Sequence, residues 1–469
     1  MKKPITNKVL WLFAVGQFGW SLLSGIITSW LVFYYIPAEN SANSGILGTG
    51  FITQKPVFLT LTIFGLIMMV GRIFDAVTDP LVASWSDGSN FRGGRRIPFM
   101  KAVAVPFALS TVAVFVLPSF AGKEILNDAL VFVLLILFYF FMTVYCTPYN
   151  ALIAELGDTQ EHRINVSTYI SFTYIAGLSM AYLVPNIAGV FEASLGVANS
   201  VRLAIGIMAA VACVAMLVPS FFIKERDYID SKPVKTPVFR SLFQTYRNGQ
   251  FRRFVYSDVI YFFAVTLFQT GLAYYETVLM GLDESYTFLL TVIMTVVSLA
   301  LYVPVNRLAP KLGKKKLIVT GFFAYSFVFA LTSVCGLFGI PAMVWGITIA
   351  VCAGVPMAIL GILPQACVAD VSELDALESG ESRSGMFFAA RTFAMKLGQA
   401  IAVIVFTSMT ASTGDGSSAG PMKYRWTAII ATAACLIGAV IFLSYDEKKL
   451  LGRIDDIKKA RGGENHAQE

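Results

Sequence analysis

The feature that most constrains this chain is a recurrence of apolar runs, each near the ~20 residues an α-helix needs to cross bilayer hydrocarbon. They fall at about 9 to 36, 57 to 86, 98 to 120, 128 to 154, 167 to 191, 200 to 223, 254 to 281, 286 to 308, 317 to 339, 341 to 368, 386 to 411 and 425 to 445. Of the 469 residues 56% are hydrophobic and 14% charged, against about a quarter charged in ordinary soluble domains. A water-solvated globule cannot hide that much apolar surface. The pattern predicts an all-α membrane protein of twelve transmembrane helices. After Lys2, Lys3 and Lys8, the first run is too long for the apolar core of a secretory signal and predicts the first membrane helix.

Charge placement predicts the orientation. Arg72, Arg391 and Lys396 lie inside runs, and Lys55, Lys123, Arg202, Lys423 and Arg425 lie on one side of the membrane. The remaining Lys and Arg lie on the other side, which the positive-inside rule makes cytoplasmic together with both termini. The basic stretch Lys224 to Arg253, with Pro233 and Pro237, separates the sixth run from the seventh. The expected division is therefore a six-helix bundle at 1–223, a cytoplasmic linker at 224–253, a second six-helix bundle at 254–445 and a cytoplasmic tail at 446–469.

An internal echo supports two related halves. Phe91-Arg92-Gly93-Gly94-Arg95-Arg96 follows the second run and Pro310-Lys311-Leu312-Gly313-Lys314-Lys315-Lys316 follows the eighth, with Gly94 and Gly313 lying 219 residues apart. Each supplies a tight turn and then a basic cluster at the membrane surface. Two pseudo-symmetric bundles are the design of secondary transporters. Arg95, Arg96, Lys314 and Lys315 are accordingly expected at a cytoplasmic gate.

The second run carries Gly71-Arg72-Ile73-Phe74-Asp75-Ala76-Val77-Thr78-Asp79-Pro80. Asp75 and Asp79 are four apart, so both carboxylates leave one helical face, with Arg72 a turn before and Thr78 alongside. A charge at membrane depth costs about 3 kcal/mol or more, so such acids are paired, protonated or holding a cation. This face is the candidate cation or proton site, and the competing reading is a salt-bridge cluster with Arg72. In the seventh run, Glu276 beside Tyr274 and Tyr275 either accepts sugar hydroxyls next to an aromatic face or marks the outer membrane edge. Asp258 in the same run and Arg391 in the eleventh are further intramembrane charges.

These motifs resemble the glycoside-pentoside-hexuronide:cation symporters of the major facilitator superfamily, the melibiose-permease-like family. The likeness runs through Gly71 to Pro80, Arg92 to Pro98, Pro148-Tyr149-Asn150-Ala151-Leu152 with Glu155, Glu161 with Arg163, Val368-Ala369-Asp370, Glu378 to Gly385 and Thr392 to Gly398. It implies cation ligands at Asp75, Thr78, Asp79 and Thr143, with Arg72 and Lys396 as counter-charges. It implies solute contacts at Ser21, Cys146, Tyr149 and Asn150, and Tyr274, Glu276 and Arg391 are this chain's own candidates to substitute for the charged solute contacts it lacks. Asp87, Arg92, Arg163 and Arg383 join the four basic residues above as gating positions. The departures are specific. The family's acid shared by sugar and cation falls on Cys146, its helix-one sugar-binding acid on Ser21, its helix-five arginine on Ser171 and its helix-ten tryptophan on Gly361. Melibiose held in the family's manner is not expected.

The expected function is symport of a sugar or glycoside-like solute with Na⁺ or H⁺ by alternating access, from a monomer in the bacterial cytoplasmic membrane. Carriage of a non-sugar amphiphile such as a lysolipid is the alternative. A membrane receptor or enzyme is the reading from another class, but no GxxxxGK[ST], HExxH or GxSxG occurs, and the histidines are only His162 and His466. No cofactor, metal centre or nucleic-acid partner is expected. The six cysteines, Cys146, Cys213, Cys335, Cys352, Cys367 and Cys435, all lie inside apolar runs without CxxC spacing.

Overall fold

The computed structural model describes residues 3–36, 51–53, 56–58, 61–89, 91, 93–156, 160–228, 245–379, 384–410 and 420–466. Fifteen α-helices are present among them: α1 Asn7–Tyr35, α2 Ile63–Asp87, α3 Ile97–Val116, α4 Glu124–Leu156, α5 Gln160–Ala181, α6 Val184–Leu195, α7 Val197–Phe222, α8 Glu225–Tyr228, α9 Gly249–Tyr274, α10 Tyr286–Leu312, α11 Lys314–Val334, α12 Ala342–Ser379, α13 Ser384–Thr410, α14 Met422–Phe442 and α15 Glu447–His466. A π-helical segment, Tyr275–Met280, continues α9. The fifth membrane helix is α5 and α6 in series. Among the described residues eleven helices are long and apolar enough to cross a membrane. The twelfth, α2, is 25 residues long and differs from the eleven in carrying three charges, Arg72, Asp75 and Asp79, within one membrane-length stretch.

The side chains confirm the solvent. Large apolar residues such as Ile125 at 80% exposure, Phe222 at 70% and Val440 at 65% stand bare on the outside, an arrangement that lipid satisfies and water does not.

Two boundaries differ from the sequence reading. The run beginning at 57 starts as a short antiparallel hairpin, Pro56–Phe58 with Leu61–Thr62, and α2 begins only at Ile63. Thr62 stops the helix there by accepting the Gly65 N–H (3.1 Å) as its N-cap. The C-terminal tail is largely helical, as α15, and packs on α12.

By packing, the chain forms two compact units. Unit one is Met1–Thr236, Gln269–Val292 and Val403–Tyr424; unit two is Pro237–Phe268, Ile293–Ala402 and Arg425–Glu469. In unit one, α1 packs on α5 and α7 while α2 and α3 pack on α4. Interhelical hydrogen bonds fix α1: Trp30 Nε1 donates to the Ala181 carbonyl (2.8 Å) and Tyr149 Oη to the Phe13 carbonyl (2.9 Å). Such bonds partly replace the hydrophobic drive that lipid cannot supply between helices. In unit two, α11 packs on α12, and Ser257 Oγ on α9 donates to the Gly438 carbonyl of α14 (2.8 Å).

Candidate functional site

The acidic face of α2 meets a hydroxyl face of α4. Thr143 Oγ1 donates to Asp75 Oδ1 (2.8 Å), and Thr147 Oγ1 donates to Asp79 Oδ1 (3.3 Å). Thr78 Oγ1 lies 3.3 Å from Thr143 Oγ1 and also donates to the Phe74 carbonyl (2.9 Å). Two carboxylates four residues apart therefore face two threonines four residues apart, one helical turn matched to another. Asp75 is fully buried and Asp79 half-buried. The expected set Asp75, Thr78, Asp79 and Thr143 is brought together. Thr147 completes it and was missed, although its spacing from Thr143 within an apolar run was available as a signal.

Each helix also carries a proline one residue beyond the site, Pro80 after Asp79 and Pro148 after Thr147. A proline has no N–H for the carbonyl four residues back, so the Ala76 and Val144 carbonyls lose their helical donors beside the acids. The local chemistry is a cluster of hard oxygens, suited to an alkali cation or a shared proton.

Arg72 turns elsewhere. Its Nη2 donates to Thr28 Oγ1 (3.1 Å) and its guanidinium carbon lies 5.4 Å from the Tyr139 ring centroid. Lys396 is half-buried on α13, in unit two.

Several expected solute contacts are engaged in packing. Ser21 Oγ donates to the Phe18 carbonyl (3.1 Å), and Tyr149 stacks on Phe13 with ring centroids 4.2 Å apart. Cys146 is half-buried and Asn150 exposed. Arg391 forms a two-pronged pair with Asp258, Nε to Oδ2 at 2.8 Å and Nη2 to Oδ1 at 3.0 Å, between the Phe254 and Phe262 rings. Tyr274 Oη donates to the Ile36 carbonyl, and Thr287 Oγ1 donates to Glu276, which is 1% exposed. That burial disagrees with a solvated carboxylate at the membrane edge.

The basic loops are held by glutamates the sequence reading did not single out. Glu225 accepts the backbone N–H groups of Arg95 (2.8 Å), Arg96 (2.9 Å) and Ile97 (3.0 Å) at the start of α3. Glu447 likewise accepts those of Lys314 and Lys315 (both 2.8 Å) at the start of α11. A carboxylate at a helix N-terminus satisfies orphan donors and the positive end of the dipole. Gly94 and Gly313 make both turns with positive φ, +121° and +86°. At Gly94 a Cβ would stand 2.3 Å from Glu225 Oε2, so only glycine fits. The two clamps occupy equivalent places after the sixth and twelfth membrane helices, which extends the internal repeat. Lys314 Nζ also pairs with Asp370. Arg92 and Arg383, and the side chains of Asp87 and Arg163, lie outside the described residues.

A family model described as MFS/sugar transport protein matches residues 12–445. The chain belongs to that family. Its members are transporters, and this multi-pass membrane chain is a transporter rather than an enzyme. The inner membrane symporter YicJ of Escherichia coli (strain K12) is 25% identical over 81% of this chain and 81% of its own. The isoprimeverose transporter of Lactiplantibacillus pentosus is 21% identical over 97% and 91%. Among solved structures, a D-xylose-proton symporter superposes with a TM-score of 0.65 at 15% identity, covering 94% of this chain and 97% of that one. That likeness establishes the major facilitator fold.

Proposed function

We propose that this MFS/sugar transport family member is a symporter that carries a sugar or glycoside-like solute together with Na⁺ or H⁺. The observation that carries the reading is the paired ladder of Asp75 and Asp79 against Thr143 and Thr147. An intramembrane acid pair on hydroxyl donors is costly unless it binds and releases a cation. The relatives named as symporters and as an isoprimeverose transporter support the solute class. The proposed rocking bodies are the bundles 1–223 and 254–445 joined by 224–253, moving about a midplane site.

Lys396 is the proposed counter-charge when the cation is absent. The solute is met by residues drawn from Ser21, Cys146, Tyr149, Asn150, Tyr274, Glu276 and Arg391. Because Ser21, Tyr149 and Arg391 already hold protein partners, solute binding exchanges those bonds for new ones. With Ser21 and Cys146 in place of acids, the solute is held by neutral donors and acceptors more than in melibiose-type relatives.

Counterflow in vesicles loaded with unlabelled solute tests the reading. Labelled glycosides or hexuronides are expected to exchange, and exchange of lysolipids alone overturns the sugar assignment. Substitution of the loop residues Arg95, Arg96, Lys314 or Lys315 is expected to slow this exchange while leaving solute-induced thermal stabilisation in place, because gates set rates. Loss of that stabilisation in folded protein contradicts a gating role.

Both termini are proposed to face the cytoplasm of a bacterial cell, from the distribution of Lys and Arg. A cysteine at Ser231 is then labelled by an impermeant maleimide only after the cells are opened. Labelling of intact cells reverses the orientation.

A further inference from the structure

The C-terminal end of α9 holds a buried acid that the α2–α4 ladder does not use. Glu276 is the second residue of the π-helical segment Tyr275–Met280. One carboxyl oxygen accepts from Thr287 at the start of α10. The other is buried with no hydrogen-bond partner among the described residues. Among the described residues no cation pairs with the carboxyl either. π-Helical turns are rare and frequent at functional positions, and here the turn carries an acid inward.

The groups around it are specific. Tyr182, immediately after α5, lies within electrostatic range. Tyr274 and Tyr275 immediately precede it, and Tyr424 stacks on Tyr274 with centroids 5.1 Å apart. Lys423 lies over the Tyr424 ring and donates from Nζ to the Thr410 carbonyl (3.1 Å). In the following loop, burial, Asp283 and Glu192 push the Glu284 carboxyl up to about 7.

The segment is also tied to the end of α1 through the residue before it. Tyr274 Oη donates to the Ile36 carbonyl at the end of α1, and its ring meets Phe33 edge-on, with centroids 5.0 Å apart. An ionised carboxylate in that seat leaves a buried charge with one donor and, among the described residues, no counter-ion, a cost that a proton removes.

We propose that Glu276 is a proton-binding site whose occupancy holds the Tyr275–Met280 segment in its seat against α1 and α10. Proton uptake accompanies seating and proton release accompanies unseating. The seated state binds the extra proton, so its stability falls as pH rises through the titration. This goes beyond the cation ladder and requires neither solute nor an ion gradient to be read. Its failure therefore leaves the symport reading standing.

Hydrogen exchange followed by mass spectrometry on the purified full-length protein tests it, in a Glu284→Gln background that removes the neighbouring titration. After correction for intrinsic exchange, amides of residues 275–282 are expected to lose protection in one transition between about pH 5 and pH 10, the range open to a buried acid. Adding Glu276→Gln is expected to abolish the transition and leave the segment protected throughout. Thr287→Val, which keeps the acid but removes the donor to its charged form, is expected to retain the transition at higher pH. A transition that persists unchanged in Glu276→Gln, or a flat profile in the Glu284→Gln background alone, overturns the proposal.

Discussion

Replacing either Asp75 or Asp79 by asparagine is expected to abolish concentrative uptake while leaving downhill exchange. Each side chain keeps its size and one oxygen for its threonine, Thr143 or Thr147, so the helix contact survives. What disappears is the negative charge that draws a cation or proton to membrane depth. An acid there costs about 3 kcal/mol or more when uncompensated, and that same quantity couples ion binding to conformation. Without it the bundles still exchange solute, but an imposed ion gradient no longer drives the cycle, and the accumulation ratio falls to equality across the membrane. Reinstating a third acid as Cys146→Asp is expected to raise the response to Na⁺, because a cation site gains both a charge and an oxygen. Uptake into vesicles under imposed gradients reads each variant.

The second large effect belongs to unit two. Asp258→Asn leaves Arg391 buried beside Phe254 and Phe262 without its partner. Removing one member of a buried pair costs about 3–5 kcal/mol, whereas neutralising both is far cheaper. The single variant is expected to lose most of its folded protein in detergent. Asp258→Asn with Arg391→Gln is expected to recover much of the loss. Thermal unfolding of the two singles and the double gives the cycle; purely additive losses contradict a tight pair.

What could be read from the chain was what depends on local periodicity. Twelve apolar runs, the acids on one turn of α2 and the doubled glycine-basic loops are all patterns within a few tens of residues. The hidden parts are long-range. Nothing near Glu225 or Glu447 announces that they clamp the N-termini of α3 and α11, 128 to 133 residues away. Asp258 and Arg391 were visible as intramembrane charges, but their bidentate geometry across 133 residues was not. Threonine in an apolar run is ordinary, and only the facing Asp79 gives Thr147 its place beside the acids. The π-helical turn at Glu276 also has no period of its own. Its aromatic and acidic neighbours suggested a solute contact or a membrane edge, and the fold buries the carboxyl instead.

Solute movement is proposed to be coupled to a cation through the α2 acids. Proteoliposomes on a solid-supported membrane test it most directly, because coupled entry of a neutral sugar carries charge. A jump in the concentration of a transported glycoside is expected to give a transient current in the wild-type protein, strengthened by Na⁺ or by acid according to the coupling ion. Asp75→Asn and Asp79→Asn are expected to give none while still showing counterflow. Solute-driven current of wild-type size in both variants would contradict the account and make the acids structural.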